Sequence, residues 1–242
     1  KGFTMDHKKI VAIVLAAGTG KRMQSNIPKQ YLMLQDKPVL YYSLKTFEES
    51  NVDEIILVVG KDDIEYCHEE IVDKYNFKKV TKIIEGGAER YHSVYNGLNA
   101  ISYADYVLIH DGARPFITLD IIKKTIEEVS IYKACVVGVP SKDTVKIINE
   151  DGIVMDTPNR DKVWSVQTPQ AFSYNLIKKA YELLFSSKQE NIKITDDAMV
   201  VEHALKCPVK LVIGEYYNIK ITTPDDLVFG ENILSGKLRK WI

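Results

Sequence analysis

The stretch Ile10-Val-Ala-Ile-Val-Leu-Ala-Ala-Gly-Thr-Gly-Lys-Arg-Met-Gln-Ser-Asn-Ile-Pro-Lys-Gln30 decides the fold. It opens as a short apolar strand, Ile10 to Leu15, turns through Ala16-Ala17-Gly18-Thr19-Gly20, and delivers Lys21, Arg22 and Lys29. A strand ending in small residues leaves backbone N–H groups open to phosphate oxygens. Cations just beyond supply the charge that a polyphosphate needs. Two common phosphate motifs fail here. A Walker loop needs Gly-Lys followed by Ser or Thr to hold magnesium, whereas Gly20-Lys21 is followed by Arg22. The dinucleotide fingerprint G-x-G-x-x-G starts at Gly18 and Gly20 but meets Met23 at its third glycine. The glycine turn alone is equally a plain strand–turn–helix connection. Arg22 and Pro28-Lys29-Gln30 attached to it shift the reading to a triphosphate site.

Outward from this segment, strand and helix signals alternate. Short β-branched runs recur at Ile55–Val59, Val80–Ile84, Tyr106–Ile109 and Cys135–Val139. Pro38 suits a first helical position, with Leu40, Tyr41, Leu44 and Phe47 on one face. Thr118 suits the N-cap of a helix over Leu119–Tyr132. This alternation predicts an α/β fold: a mainly parallel sheet with helices on both faces. Ligands then bind beyond the carboxyl ends of the strands. The pattern breaks after Pro140. Thr144–Ile148 and Ile153–Met155 flank Asn149-Glu-Asp-Gly152, a hairpin signal. Residues 141–161 read as a protruding β-hairpin arm, either folded back as an edge hairpin or used for dimerisation. The α/β pattern resumes near Trp164, with helices at Tyr174–Phe185, Asp196–Leu205 and Pro224–Leu234 and a strand at Val209–Ile213. One domain over 9–238 is expected, with 1–8 as an N-terminal extension or an expression remnant and Met5 as the candidate native start.

Bulk properties narrow the function classes. The chain has 242 residues, 45% hydrophobic and 27% charged, with a net charge of −1. Nothing in that balance suggests a nucleic-acid binder, and no apolar run reaches the ~18 residues of a membrane span. Cys67, Cys135 and Cys207 are odd in number and far apart, so neither disulfide framework nor zinc spacing is present. That pattern suits a reducing cytoplasm.

A second strong signal is Tyr106-Val-Leu-Ile-His-Asp-Gly-Ala-Arg-Pro-Phe116. A carboxylate at the end of an apolar strand, Asp111, is placed to hold Mg²⁺ against phosphate oxygens. Arg114 can pair bidentately with phosphate. The bland reading is that both stabilise a turn, and His110 is read as structural. Glu85-Gly86-Gly87-Ala88-Glu89-Arg90-Tyr91-His92-Ser93 opens a helix after a strand, where backbone groups and Ser93 can read a base edge. Thr157-Pro-Asn-Arg160, Thr168-Pro169-Gln170 (after a strand) and Thr195-Asp196-Asp197-Ala198 each offer hydroxyls or a cation to a smaller phosphate. Each is equally a cap or a turn. Tyr217–Pro224 reads as a short alternating strand with Asn218, Lys220 and Thr222 on one face.

In this order, the segments from about Lys9 to Leu234 resemble the 2-C-methyl-D-erythritol 4-phosphate cytidylyltransferase family of the non-mevalonate isoprenoid pathway. The matches are Leu15-Ala-Ala-Gly-Thr-Gly-Lys-Arg-Met23, Pro28-Lys-Gln30, His110-Asp-Gly-Ala-Arg-Pro115, Thr168-Pro-Gln170, Thr195-Asp196 and Asn218-Ile-Lys-Ile-Thr222. The resemblance implies a Rossmann-like α/β nucleotidyltransferase fold, CTP and an alcohol phosphate as substrates, Mg²⁺ as cofactor, and a homodimer built partly by the arm. It implies transition-state stabilisation by Arg22 and Lys29, and positioning of the alcohol phosphate by Arg160 and Lys220. It implies a metal carboxylate at Asp111 and a CTP site at Ala16, Ala17, Gly18, Gly20, Gly87, Ala88 and Ser93. The alcohol-phosphate pocket falls to Asp111, Arg114, Thr144, Thr168 and Thr195, with Thr144 and Arg160 serving the partner's site. Residue 88 is Ala where some relatives carry Asp, so only a backbone contact carries over there. The ribitol 5-phosphate cytidylyltransferases of teichoic acid synthesis share several of these segments, but tend to carry Ser-Val where this chain has Gly112-Ala113. A nucleotide-binding regulator without turnover is the alternative from another class.

Overall fold

The computed structural model describes residues 7–18, 20, 23, 27–186 and 193–236. Its strands are β1 (Ile10–Ala16), β2 (Met33–Leu34), β3 (Lys37–Pro38), β4 (Glu54–Val59), β5 (Val80–Glu85), β6 (Tyr106–Asp111), β7 (Ala134–Pro140), β8 (Ile147–Ile148), β9 (Val154–Asp156), β10 (Trp164–Ser173) and β11 (Lys210–Ile213). Seven of them form one sheet in the order β11-β7-β10-β6-β1-β4-β5. β10 runs antiparallel to both β6 and β7, and every other pairing in the sheet is parallel.

Strand β1 shows why helices cover both faces. Its alternate residues Ile10, Ala12, Val14 and Ala16 join one apolar cluster, while Val11 and Ile13 join the other. A strand buried on both sides has no polar face, so it reads as a continuous apolar run. The first helices are α1 (Val39–Glu49), α2 (Ile64–Tyr66, with a π-helical continuation over Cys67–Asp73), α3 (Arg90–Ala100) and α4 (Leu119–Tyr132). All of these but α3 pack on the first face. Leu40, Leu44 and Phe47 of α1 and Ile121, Ile122 and Val129 of α4 fill it. The opposite face takes Val94 and Leu98 of α3, Ile177 and Tyr181 of α5 (Tyr174–Ser186), and Val200 and Val201 of α6 (Asp197–Leu205). The last helix, α7 (Pro224–Leu234), caps a small cluster of Leu34, Val39, Phe116 and Ile221.

Several local expectations shift. Pro38 is the N-cap of α1 and the last residue of β3, not the first helical residue. Thr118 caps α4 as expected, its side chain accepting from Ile121 N. Thr168-Pro169-Gln170 lies inside β10 rather than after a strand, at an irregularity where the register against β7 shifts between Val166 and Gln170. Tyr217–Pro224 contains no strand. Asn218 and Ile221 are both fully buried; they stand three positions apart, which a period of two cannot satisfy. Asn218 is drawn onto β10 and Ile221 into the α7 cluster. The hairpin is shorter than its apolar runs, since only Ile147–Ile148 and Val154–Asp156 pair. Along this arm Val145, Ile147, Ile148, Ile153, Val154 and Met155 are exposed, Met155 to 66%.

Candidate active site

The parallel strands β1, β4, β5 and β6 end on one side of the sheet. Leu15 pairs with Asp111, and Val59 with Ala16 and Glu85. A cavity of about 480 Å³ lies beyond these ends. Its floor is Leu15, Ala16, Ala17 and Gly18 at the end of β1. One wall is Gly87, Ala88, Glu89, Arg90 and Ser93 around the start of α3, and the rest is Lys29, Gln30, Asp111, Ala113 and Lys220.

Local chemistry explains how each piece arrives there. Gln30 is buried, and its Nε2 donates to Ala16 O at 2.6 Å. That bond ties Pro28-Lys29-Gln30 to the end of β1 and presents Lys29 to the cavity. Gly86 donates its N–H to Val59 O, and Gly87 N–H donates to Ser93 Oγ at 3.0 Å. A Cβ on Gly86 would collide with Ala17 Cβ and Ser93 Oγ, so only glycine lets β5 turn this close to the β1 loop. Glu89 caps α3 in a capping box with His92.

Charge concentrates on Asp111, a buried residue at the end of β6. Lys220 Nζ lies 2.8 Å from its Oδ2, Arg90 Nε lies 3.2 Å from Oδ1, and Arg114 Nε lies 3.8 Å from Oδ2. Burial opposes the carboxylate charge, but Arg90, Lys220 and Arg114 outweigh it and hold the acid well below the ordinary carboxylate range. Arg90 also places Nη2 2.8 Å from Oδ2 of Asp197, which is fully buried. Arg114 donates from Nη1 to Asn218 O at 2.8 Å, and burial lowers its basicity.

Behind Asp111 the contacts are structural. Thr168 Oγ1 accepts from Asp111 N at 3.1 Å and lies 3.0 Å from His110 Nδ1. His110 Nε2 lies 3.2 Å from Arg114 O. His110 is fully buried, and burial lowers its pKa from 6.5 to about 4. With both ring nitrogens engaged and no exposure, it holds the β6 turn and faces no substrate.

The sequence-predicted residues therefore separate. Ala16, Ala17, Gly18, Lys29, Gly87, Ala88, Ser93, Asp111 and Lys220 line one cavity. Gly20 sits against Lys29 and Arg114 packs beside Asp111, both just outside the lining. Thr168 lies one layer back, its hydroxyl already committed. Thr195 is exposed and its Oγ1 lies 3.5 Å from Met199 Sδ; the cap of α6 is Asp196. Thr144 and Arg160 are exposed on the arm and do not line the cavity. Arg22 lies outside the described residues. Sequence reasoning missed Arg90, Gln30 and the buried Asp197. A signal for Arg90 exists: a cation at the first position of a helix opposes the helix dipole, so it needs acidic partners to stay there.

Comparisons with known proteins find similar chains over nearly the whole length. The IspD family, 2-C-methyl-D-erythritol 4-phosphate cytidylyltransferase, matches residues 10–236. A protein of that name from Lachnoclostridium phytofermentans is 59% identical over 227 residues, covering 94% of this chain and 97% of the relative. One from Clostridium botulinum strain 657 is 54% identical over 224 residues, covering 92% and 96%. Among solved structures, the 4-diphosphocytidyl-2C-methyl-D-erythritol synthase of Anaerococcus prevotii superposes with a TM-score of 0.83 at 40% identity, covering 94% of this chain and 96% of that one. The 2-C-methyl-D-erythritol 4-phosphate cytidylyltransferase of Thermus thermophilus gives 0.74 at 29% identity, covering 94% and 99%.

Proposed function

The chain belongs to the 2-C-methyl-D-erythritol 4-phosphate cytidylyltransferase family, and from that premise we propose how its residues divide the work. The enzyme joins CTP and 2-C-methyl-D-erythritol 4-phosphate, giving 4-diphosphocytidyl-2-C-methyl-D-erythritol and pyrophosphate. A phosphate oxygen of the alcohol phosphate attacks the α-phosphorus of CTP in line with the departing pyrophosphate. The observation that carries the assignment is the convergence of Lys29, Arg90, Lys220 and Asp111 on one cavity beyond the strand ends. The attacking phosphomonoester has a second pKa near ~6, so it is largely dianionic at neutral pH. It needs no general base, and His110 offers none. The barrier is repulsion between two polyanions, which fixed cations lower.

Lys29 and Arg22 take the charge that develops on the triphosphate. The backbone around Ala16–Gly18 and Gly87–Ala88, with Ser93, holds the nucleoside. Lys220 and Arg160 hold the alcohol phosphate, with Arg114, Thr144, Thr168 and Thr195 completing its surroundings. Thr168 acts from behind, by fixing Asp111 N–H and His110.

Mg²⁺ fits this donor set. Asp111 is an ionised carboxylate lining the cavity. No group of three His, Cys, Asp or Glu side chains converges among the described residues. A single carboxylate completed by triphosphate oxygens and water suits Mg²⁺, which keeps several waters and favours phosphate ligands. Bound there, the ion would neutralise phosphate charge and activate the leaving pyrophosphate.

The exposed apolar arm favours a homodimer, because such surface is normally covered. Arg160 and Thr144 would then serve the partner's cavity. The three free cysteines favour the cytoplasm; among the described residues no helix is long and apolar enough to cross a membrane. The test is pyrophosphate release from CTP with 2-C-methyl-D-erythritol 4-phosphate or ribitol 5-phosphate, side by side. Release with the first and little with the second is expected, and the reverse would move the chain's acceptor to ribitol phosphate.

A further inference from the structure

We propose that Arg90 is a positioning residue that fixes the Asp111 carboxylate, anchored from behind by Asp197. The proposal rests on the reading of Asp111 as the metal carboxylate. Asp111 has two oxygens, and different residues hold them. Arg90 Nε holds Oδ1, while Lys220 holds Oδ2 with Arg114 beyond it. The two sides differ in how firmly they are mounted. Lys220 comes from an irregular segment. Arg90 is mounted on α3 and pinned through Nη2 to Asp197.

Asp197 is itself immobilised. It is fully buried, it accepts from Tyr181 Oη at 2.6 Å, and its backbone N–H donates to Gln170 Oε1 at 3.0 Å. Burial disfavours charge on Arg90, but Asp197 and Asp111 more than restore it. A planar fork can meet two carboxylates at once, whereas an ammonium group is a point charge. Arg90 therefore links β10, α5, α6 and α3 to the acid at the end of β6. Without that link, Asp111 is left with Lys220 and Arg114 alone, and it turns toward them and away from the metal. The same turn ties up Lys220, which the alcohol phosphate needs.

The decisive variant is Arg90→Lys, which keeps the charge and loses the two-carboxylate bridge. The probe is Mn²⁺ in the presence of CTP, read by electron paramagnetic resonance on the full chain. Partners that orient a metal ligand typically change affinity by about 10–100-fold, so Arg90→Lys should weaken Mn²⁺ by at least about tenfold. Asp197→Asn should weaken it in the same direction, and carries the test if Arg90→Lys does not fold. Ile122→Ala, which opens a cavity in the opposite core face, should lower Tm and leave Mn²⁺ affinity within about twofold. In an Asp111→Asn background, Arg90→Lys should add less than about twofold to the loss of kcat, since the two act as one unit. Mn²⁺ affinity lost in Asp111→Asn but kept in Arg90→Lys overturns the proposal alone. Full multiplication of the two kcat losses overturns it too, and makes Arg90 a direct phosphate contact. Unchanged Mn²⁺ affinity in Asp111→Asn overturns the metal reading and the proposal with it.

Discussion

The nucleotide end of the cavity and the hairpin arm are built in opposite ways. At the nucleotide end, several of the described residues are braced by the chain itself. Gln30 is bonded to Ala16 O, Gly87 to Ser93, and Asp111 to Thr168, Arg90 and Lys220. On the arm, Thr144 and Arg160 are exposed, and the apolar side chains between them face outward. Two paired residues on each side cannot support a hairpin in water. On the proposed division of the work, one chain supplies the CTP half of the site, while the acceptor half draws in part on the arm of a partner.

The largest effect should fall at the braced end. Lys29→Ala should lower kcat by at least ~100-fold, the scale of one strong transition-state contact. A kcat within about threefold of wild type would remove Lys29 from that role. Next, charge on the arm should break the comparison from the other side. Ile148→Asp with Met155→Asp should shift sedimentation from dimer to monomer and abolish most turnover. CTP affinity, by calorimetry, should change little, because the braced half does not need the arm. A dimer that persists would mean that another surface holds it. Smaller and more selective effects come from single acceptor cations. Lys220→Ala and Arg160→Ala should each raise KM for the alcohol phosphate more than KM for CTP; equal rises would argue against a positioning role.

The smallest effect tests the bracing itself. His110 titrates near pH 4 in the fold against 6.5 for the free side chain, because burial disfavours its charge. The unfolded chain therefore binds this proton first, and stability falls as pH drops from about 6.5 to about 4. At most about 3 kcal/mol is at stake. Asp111 is displaced to a lower range, so its contribution survives to more acid pH. His110→Asn should flatten the decline of Tm between pH 6.5 and 4. An unchanged slope would assign that decline to other groups.

Much of this was legible in the chain. The alternation of apolar strands with capped helices pointed to the sheet, and Thr118 marked the start of α4 correctly. The β1 loop and the β6 acid stand out in the sequence because phosphate chemistry needs small residues and a carboxylate at strand ends, and both line the cavity. The misses share a cause, which is that their partners are distant in sequence. Arg90 meets Asp197 across 107 positions and Asn218 meets Thr168 across 50. No local period encodes such a pairing. The Lys220 segment misled for the same reason, since its two buried residues answer to different neighbours and not to a strand.

The central claim is that one protomer's CTP half works with the other protomer's arm. Mixing Lys29→Ala protein with Arg160→Ala protein tests it directly, with subunit exchange allowed to reach equilibrium. Assayed at alcohol phosphate far below the raised KM of Arg160→Ala, each variant alone should be nearly inactive. If arms are exchanged, a mixed dimer holds one doubly damaged and one intact site, so about one site in four recovers at equal mixing. Pyrophosphate release should rise toward about a quarter of the wild-type rate. A mixture no more active than its components would contradict it.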